Sequence, residues 1–275
     1  MRIQRYNINF IVLEFLILLF LIGCSLVPVP QVSREVSPQD ANQAWAEVLK
    51  TYVDDQGRVD FKSLSKKPGP LHNYVYYISK NGPTSHPELF KTHSLRLAYY
   101  INSFNALSMY NILESEIPES LSGFKKVSFF YFKKFIIDGE KTSLYSYEKD
   151  VIRKQKEERV HFALNCMSRG CPRLPQKPFT AENLEKELDF QAKYFFSENR
   201  NIYLDPKNKK VFISEILDFY TEDFLVKTPS LIAYVNQYRK PEQKIPQDYK
   251  VDFIPYDWEV NSQKPRVTSL EKSAP

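Results

Sequence analysis

Leu97-Ala98-Tyr99-Tyr100-Ile101-Asn102-Ser103-Phe104-Asn105-Ala106-Leu107-Ser108-Met109-Tyr110-Asn111-Ile112-Leu113 carries no charged residue. The stretch predicts a helix over about 95–114, apolar on every side yet interrupted by Asn102, Asn105 and Asn111. That is the pattern of a helix buried inside a soluble domain and not of a membrane span. A helix of this kind needs cover all round, so the flanking segments are read as its cover.

On the N-terminal side, Ser37-Pro38 offers an N-cap with Pro at the first helical position, and Ala41, Ala44, Trp45, Val48, Leu49 and Tyr52 keep helical spacing up to Gly57. A short strand over 58–61 and a helix over 71–79 follow. On the C-terminal side, 129–137, Asp138-Gly139 and 141–145 read as a hairpin, because Asp-Gly supplies the positive φ of a tight primed turn. A helix over 147–156 leads to a strand over 159–165. Thr180 is read as the cap of a long helix carrying Leu184, Leu188, Gln191 and Phe195 on one side. A second hairpin joins 201–204 to 211–213. Ser214 starts a helix to Phe224, Thr228-Pro229 another to about Tyr238, and 250–255 is a final strand. Helices and hairpins mix without a strand-helix-strand rhythm, which predicts a single α+β domain of helices packed on short antiparallel strands.

The ends read differently. Arg2 and Arg5 make a basic start, an apolar run covers 15–22, and Leu21-Ile22-Gly23-Cys24 resembles the lipobox of bacterial lipoproteins. The run of about eight apolar residues is short against the roughly 20 of a spanning helix. The expected organisation is a signal peptide over 1–23, a lipidated tether over 24–40 holding the domain off the lipid, a domain over 41–261 and a flexible tail over 262–275. Acylated Cys24 then joins the chain to the bilayer of a bacterial cell envelope, and Ser25, not being Asp, directs it to the outer membrane by the enteric sorting rule.

Composition narrows the function classes. With 18 Tyr, 20 Phe and only 7 Gly in 275 residues, the chain is neither collagen-like nor disordered. A formal charge of +5 with both signs interspersed gives no electrostatic footprint for nucleic acid. The run from Phe124 to Phe135 interleaves Lys and aromatic residues. It reads as a half-buried strand or as a surface for a membrane or a partner.

Several stretches carry a family resemblance. Residues 97–107 are similar to an apolar-Trp-Ile-Asn-x-Tyr-Asn-Ala-Leu signature. Residues 160–172, Val-His-Phe-Ala-Leu-Asn-Cys-Met-Ser-Arg-Gly-Cys-Pro, resemble a His-Phe-Ala-Leu-x-Cys-x-Ser-x-Ser-Cys-Pro block. Residues 219–224 and Tyr256-Asp257-Trp258 are similar to two later blocks. Over roughly 41–261 the chain thus resembles the domain of unknown function 547 family, whose activity is not established. Tyr100, Phe104 and Phe219 stand where the family usually has Trp, Tyr and Trp. Tyr147-Glu148-Lys149 stands where the family has Ile-Glu-His, so a family histidine is missing.

Cys166 and Cys171 invite three readings. An even pair in an exported chain is most often a disulfide, and four intervening residues with Gly170 can bring the two Cα atoms within about 6 Å. Alternatively the pair is redox-active, or Cys166 is a nucleophile with His161 as base. Residues five apart in a strand lie on opposite faces and about 16 Å apart, so the last reading needs a chain reversal straight after Asn165. A zinc site from His161, Cys166 and Cys171 lacks any familiar ligand spacing, and no cofactor is expected.

A buried helix, a strand opening with His161 and a late Asp257 also resemble the order of parts in papain-like and transglutaminase-like hydrolases, where the helix carries the nucleophilic Cys. Here that helix offers Asn102 and Asn105, three apart on one face. They read as amides that fix packing or, in an enzyme, as polarisers of a substrate carbonyl, and Asp223 and Asp257 as capping or pairing groups. Two classes stay open: an envelope scaffold or binding module for an unknown protein or small molecule, with a Cys166–Cys171 disulfide, and a thiol-dependent hydrolase, acyltransferase or redox protein using Cys166.

Overall fold

Helix α1, Pro38–Tyr52, begins where the sequence places it: the Asp40 N–H donates to Ser37 Oγ at 3.1 Å. The structure, a computed structural model, describes residues 25–263. The signal segment, Cys24 and the tail beyond Gln263 lie outside the described residues. Helix α2, Phe61–Lys66, takes the place of the strand expected over 58–61. Asp60 accepts the Ser63 N–H at 3.0 Å and turns the chain into a helix, leaving Val59 with isolated bridges to Val53 and Ser262.

Helix α3, Gly69–Lys80, packs along α1, and α4, His93–Leu113, runs through the middle of the fold with nearly every residue from Leu97 to Ile112 buried. The asparagines of α4 each hold a separate segment. The Asn102 side chain accepts from Trp45 Nε1 at 3.2 Å and from the Phe179 N–H at 3.1 Å, and donates to the Phe179 carbonyl at 2.7 Å. Asn111 donates to the Phe129 carbonyl at 3.2 Å, and Asn105 holds the segment 163–165. Buried amides are tolerated on this helix because loop backbone groups satisfy them.

The run beginning at Phe124 is helical, not a strand. Helix α5, Phe124–Val127, continues as a wider turn over Ser128–Phe132 before β1, Phe135–Ile137. Short runs of mixed aromatic and basic residues do not separate the two periods. Strand β2, Glu140–Thr142, closes the hairpin as expected, with Asp138 at φ 54° and Gly139 at φ 80°. Helix α6, Leu144–Tyr147, runs on through Glu148–Ile152 and Arg153–Gln155.

The expected strand over 159–165 is instead a tight helical turn, Glu158–Phe162. Glu157 starts it by accepting the Arg159 N–H at 3.1 Å, and Glu157, Glu185 and Asp189 bind the Arg159 guanidinium. Helix α7, Leu184–Phe195, starts at Asn183 and not at Thr180, whose N–H is taken up by Asn183 Oδ1 at 2.8 Å. Strands β3, Ile202–Asp205, and β4, Lys210–Ser214, pair antiparallel, and β5, Lys250–Ile254, lies parallel to β4, so this sheet is mixed. Between β4 and β5 run α8, Ile216–Phe219, α9, Thr221–Phe224, and α10, Leu231–Val235. The α+β class holds.

Burial divides into two adjoining cores. One is built on α1, α3 and α4, the other on Phe162, Phe195, Phe196, Phe224, Tyr234 and the β3-β4-β5 sheet. The turn over Glu158–Phe162 sends Val160 into the first and Phe162 into the second, and Tyr256 packs against both.

Residues 25–37 do not form a free tether. The Lys134 N–H donates to the Ser25 carbonyl at 2.9 Å and the Val27 N–H to the Lys134 carbonyl at 2.8 Å. Val27 is buried, and Tyr110 donates its hydroxyl to the Pro28 carbonyl at 3.0 Å. At the other end, the Gln263 N–H donates to the Val59 carbonyl at 2.9 Å, so the first two residues of the expected tail are paired as well.

Candidate functional site

Where the two cores meet, a cavity of about 70 Å³ is lined by Glu148, His161, Cys166, Cys171, Tyr220 and Tyr256, with Phe104, Leu164 and Trp258 among its apolar walls. It has room for a few waters or one small functional group. Phe130, Glu148, Phe219, Tyr220 and Trp258 also border a surface groove of about 320 Å³, which adds Lys126, Tyr131, Tyr145, Lys149 and Arg153.

The cysteine loop is shaped from behind by two asparagines. Asn105 donates to the Ala163 carbonyl at 3.0 Å and accepts the Asn165 N–H at 2.7 Å. Asn165 in turn donates to the Pro172 carbonyl and accepts the Met167 N–H, both at 2.7 Å, while Met167 takes φ 68°. This reverses the chain directly after Asn165 and brings Cys166 and Cys171 together. From the other side, the Arg169 N–H donates to the Glu259 carbonyl and the Gly170 N–H to the Asp257 carbonyl, both at 2.8 Å. A Cβ on Gly170 would lie 2.8 Å from a Tyr256 ring carbon and 2.9 Å from the Asp257 nitrogen, so only glycine fits.

Cys166 and Cys171 are buried free thiols with their sulfurs 2.9 Å apart. The expected disulfide is not formed here, because this separation exceeds the roughly 2.05 Å of a bonded pair. The two thiols are not equivalent. Cys171 Sγ accepts the Cys166 backbone N–H at 3.1 Å and lies 3.0 Å from the Tyr256 hydroxyl and 3.4 Å from Ser168 Oγ. Burial alone would raise its pKa, but hydrogen bonds from the Cys166 thiol, Ser168 and Tyr256 outweigh it and pull Cys171 below the ordinary thiol value. Burial pushes Cys166 up, and its neighbour Cys171 adds to the effect.

His161 stands on the same cavity through the turn of Glu158–Phe162. Its ring stacks on Tyr220 at 3.8 Å between centroids, and Nε2 lies 2.8 Å from Asp223 Oδ2. Asp223 also accepts from Arg153 Nε at 2.7 Å and from its terminal nitrogen at 3.0 Å. Partial burial would raise the Asp223 carboxyl, yet His161 and Arg153 together hold it well below the usual carboxylate range. Glu148 behaves oppositely: burial holds its carboxyl above the ordinary value, against the lowering pull of His161, Tyr220 and Arg153.

Of the residues singled out in the sequence, Cys166, Cys171 and His161 converge on the cavity. Asn102 and Asn105 are not among its lining residues. Their amides bind backbone groups and, for Asn102, the Trp45 indole N–H. Asp223 pairs, and Asp257 accepts the Glu259 N–H at 2.9 Å in a turn.

Sequence reasoning missed Glu148, Tyr220, Ser168 and Tyr256 as site residues. Glu148 was visible only as the residue before the missing family histidine, whose position, Lys149, lies on the groove with its ammonium 5.6 Å from the Tyr145 ring centroid. Among the described residues no group of three or more His, Cys, Asp or Glu side chains is arranged to hold a metal ion.

No curated protein and no solved structure matches this chain. The blocks at 219–224 and 256–258 lie outside the stretch that the matching family model covers. Residues 88–196, which hold Asn102, Asn105, Glu148, His161 and both cysteines, match the model of the family described as "Protein of unknown function, DUF547".

Proposed function

We propose that this site is a redox-active dithiol that exchanges with a disulfide substrate. The observation that carries the reading is the pair of buried sulfurs 2.9 Å apart with hydrogen bonds gathered on one of them. The Cys171 thiolate attacks one sulfur of a substrate disulfide, forming a mixed disulfide and releasing the first substrate thiolate. Cys166 then gives its proton to a base on the cavity wall, His161 or ionised Glu148, and attacks the Cys171 sulfur. The second substrate thiolate leaves, and a Cys166–Cys171 disulfide remains. Two thiols have been oxidised and one disulfide reduced, so electrons balance, and the reverse sequence restores the dithiol.

The test uses the reduced full chain, glutathione disulfide and peptide masses for the two cysteines. The native protein is expected to form the internal disulfide and to be reduced again by a small dithiol, and Cys166→Ser to accumulate a mixed disulfide at Cys171. Thiols that react only after unfolding, or a disulfide that resists reduction in the folded protein, overturn the proposal in favour of a structural role.

His161, which lines the same cavity and is paired with Asp223 behind it, favours a second reading, acyl transfer by Cys166 with His161 as base. The two readings separate at Cys171→Ser: disulfide exchange ends, while multiple turnover of an ester substrate by Cys166 persists. In either case we read the chain as an envelope lipoprotein, anchored through Cys24 in the outer membrane, and the support for this is the sequence Leu21-Ile22-Gly23-Cys24.

A further inference from the structure

Among the described residues no helix is long and apolar enough to cross a membrane, yet one face of the molecule is apolar and basic together. Phe124, Val127 and Tyr131, at spacings of three and four along the helical stretch 124–132, are 63%, 38% and 42% exposed. An outward apolar face is the reverse of what a surface helix in water presents. The patch continues at both ends. The Tyr131 ring lies 4.3 Å from that of Tyr145, itself 37% exposed, and Leu26, 49% exposed, is paired with Lys134.

Lys125, Lys126, Lys133 and Lys134 belong to this segment, and among the described residues none of them makes an ion pair with a carboxylate. Lys126 lies over the Trp258 ring at 3.8 Å, and Lys133 donates to Ser115 Oγ at 2.6 Å. Exposed aromatic and aliphatic side chains flanked by uncompensated lysines match the chemistry of an anionic lipid surface, with apolar groups at the acyl boundary and ammonium groups at the phosphates.

The course of the chain selects this occupant over another protein. Ser25 and Val27 are held to Lys134 by backbone hydrogen bonds, so the chain coming from Cys24 joins the domain at the edge of this patch. Cys24 is one residue away, a reach of about 3.5 Å. We propose that the face formed by Leu26, Phe124, Val127 and Tyr131, flanked by Lys125 and Lys134, lies against an anionic bilayer, so that the domain is seated on the membrane and does not hang from a tether. The inference rests on the anchoring read from Cys24 and is independent of the thiol chemistry. Lys126, Tyr131 and Tyr145 also line the groove that leads to Glu148, so the groove opens on the docked face.

The test returns the full-length acylated chain to vesicles of phosphatidylcholine with phosphatidylglycerol and reads lysine modification by an amine-reactive reagent, peptide by peptide. In the native chain Lys125 and Lys134 are expected to react several-fold more slowly than Lys193 and Lys209. In Phe124→Ser/Tyr131→Ser, which changes only exposed side chains, that protection is expected to vanish while Lys193 and Lys209 stay as they were. A vesicle-bound native chain whose Lys125 and Lys134 are as open as in the variant overturns the docking and leaves the anchoring standing. A chain that does not bind vesicles overturns both. A bifunctional reagent that joins Lys125 of one copy to Lys134 of another identifies a second copy as the occupant and also overturns the docking.

Discussion

The backbone N–H of Cys166 donates to the sulfur of Cys171 across 3.1 Å, so the first cysteine stabilises the charge of the second. Against burial, hydrogen bonds from the Cys166 thiol, Ser168 and Tyr256 pull Cys171 below its ordinary value and direct negative charge to it, while burial keeps Cys166 protonated. In reduced protein at neutral pH, iodoacetamide is expected to label Cys171 before Cys166, with label positions read by peptide mass. Cys166→Ser keeps this reactivity below pH 8, and Cys171→Ser loses it. Faster labelling at Cys166 would reverse the assignment of nucleophile and resolving thiol.

Asp223 ties His161 to Arg153, and its carboxyl is held well below the usual range. A carboxylate whose folded pKa is depressed contributes stability that is fully present above the unfolded value of about 3.9 and is lost as pH falls toward the folded one. The native protein is therefore expected to lose melting temperature more steeply than Asp223→Asn as pH is lowered from about 5. At pH 7 the variant should be less stable by about 1–3 kcal/mol, the worth of hydrogen bonds to a charged group. Parallel melting curves from pH 7 to 3 would refute the linkage.

How much of this was legible depended on whether the relevant period was local. The buried helix α4 announced itself by length and lack of charge, and the Asp138-Gly139 turn by the positive φ that both residues adopt. The turn over Glu158–Phe162 did not. Val160, Phe162 and Leu164 alternate as in a strand, but the conformation is set by Glu157, Glu185 and Asp189 gripping Arg159, and two of these are distant in sequence. That mistake separated His161 from Cys166 on paper. Likewise Tyr256 reaches the cysteines, and Glu148 their cavity, only because the seam between two cores brings them there, and no spacing encodes such a meeting.

Asn105 links α4 to the cysteine loop by two buried hydrogen bonds, to the Ala163 carbonyl and from the Asn165 N–H. Removing the amide leaves both backbone groups without a partner, at about 1–3 kcal/mol each. Asn105→Ala is expected to cost about 2–6 kcal/mol in urea denaturation and to raise the reactivity of both thiols as the loop loosens. Asn105→Asp buries a carboxylate with one oxygen facing the Ala163 carbonyl, so at pH 7 its cost should exceed that of Asn105→Ala and fall at low pH, where a protonated carboxyl can donate. A change below about 0.5 kcal/mol for Asn105→Ala would show that the loop is held from elsewhere.

Gly170 packs under Tyr256, which is where the C-terminal segment closes over the cysteines. A methyl group there meets the Tyr256 ring at 2.8 Å and the Asp257 nitrogen at 2.9 Å. Neither is the far end of a flexible chain, so the segment has to shift. Overpacking of this kind costs about 1–3 kcal/mol, and the shift draws the Tyr256 hydroxyl away from Cys171 Sγ, now 3.0 Å distant. Gly170→Ala is therefore expected to lower stability by that amount and to raise the pH at which Cys171 becomes reactive. Tyr256→Phe should raise that pH without the steric cost. If Gly170→Ala destabilises the protein but leaves the pH profile of Cys171 unchanged, the hydroxyl does not hold the thiolate, and the Cys166 thiol and Ser168 remain as its main support.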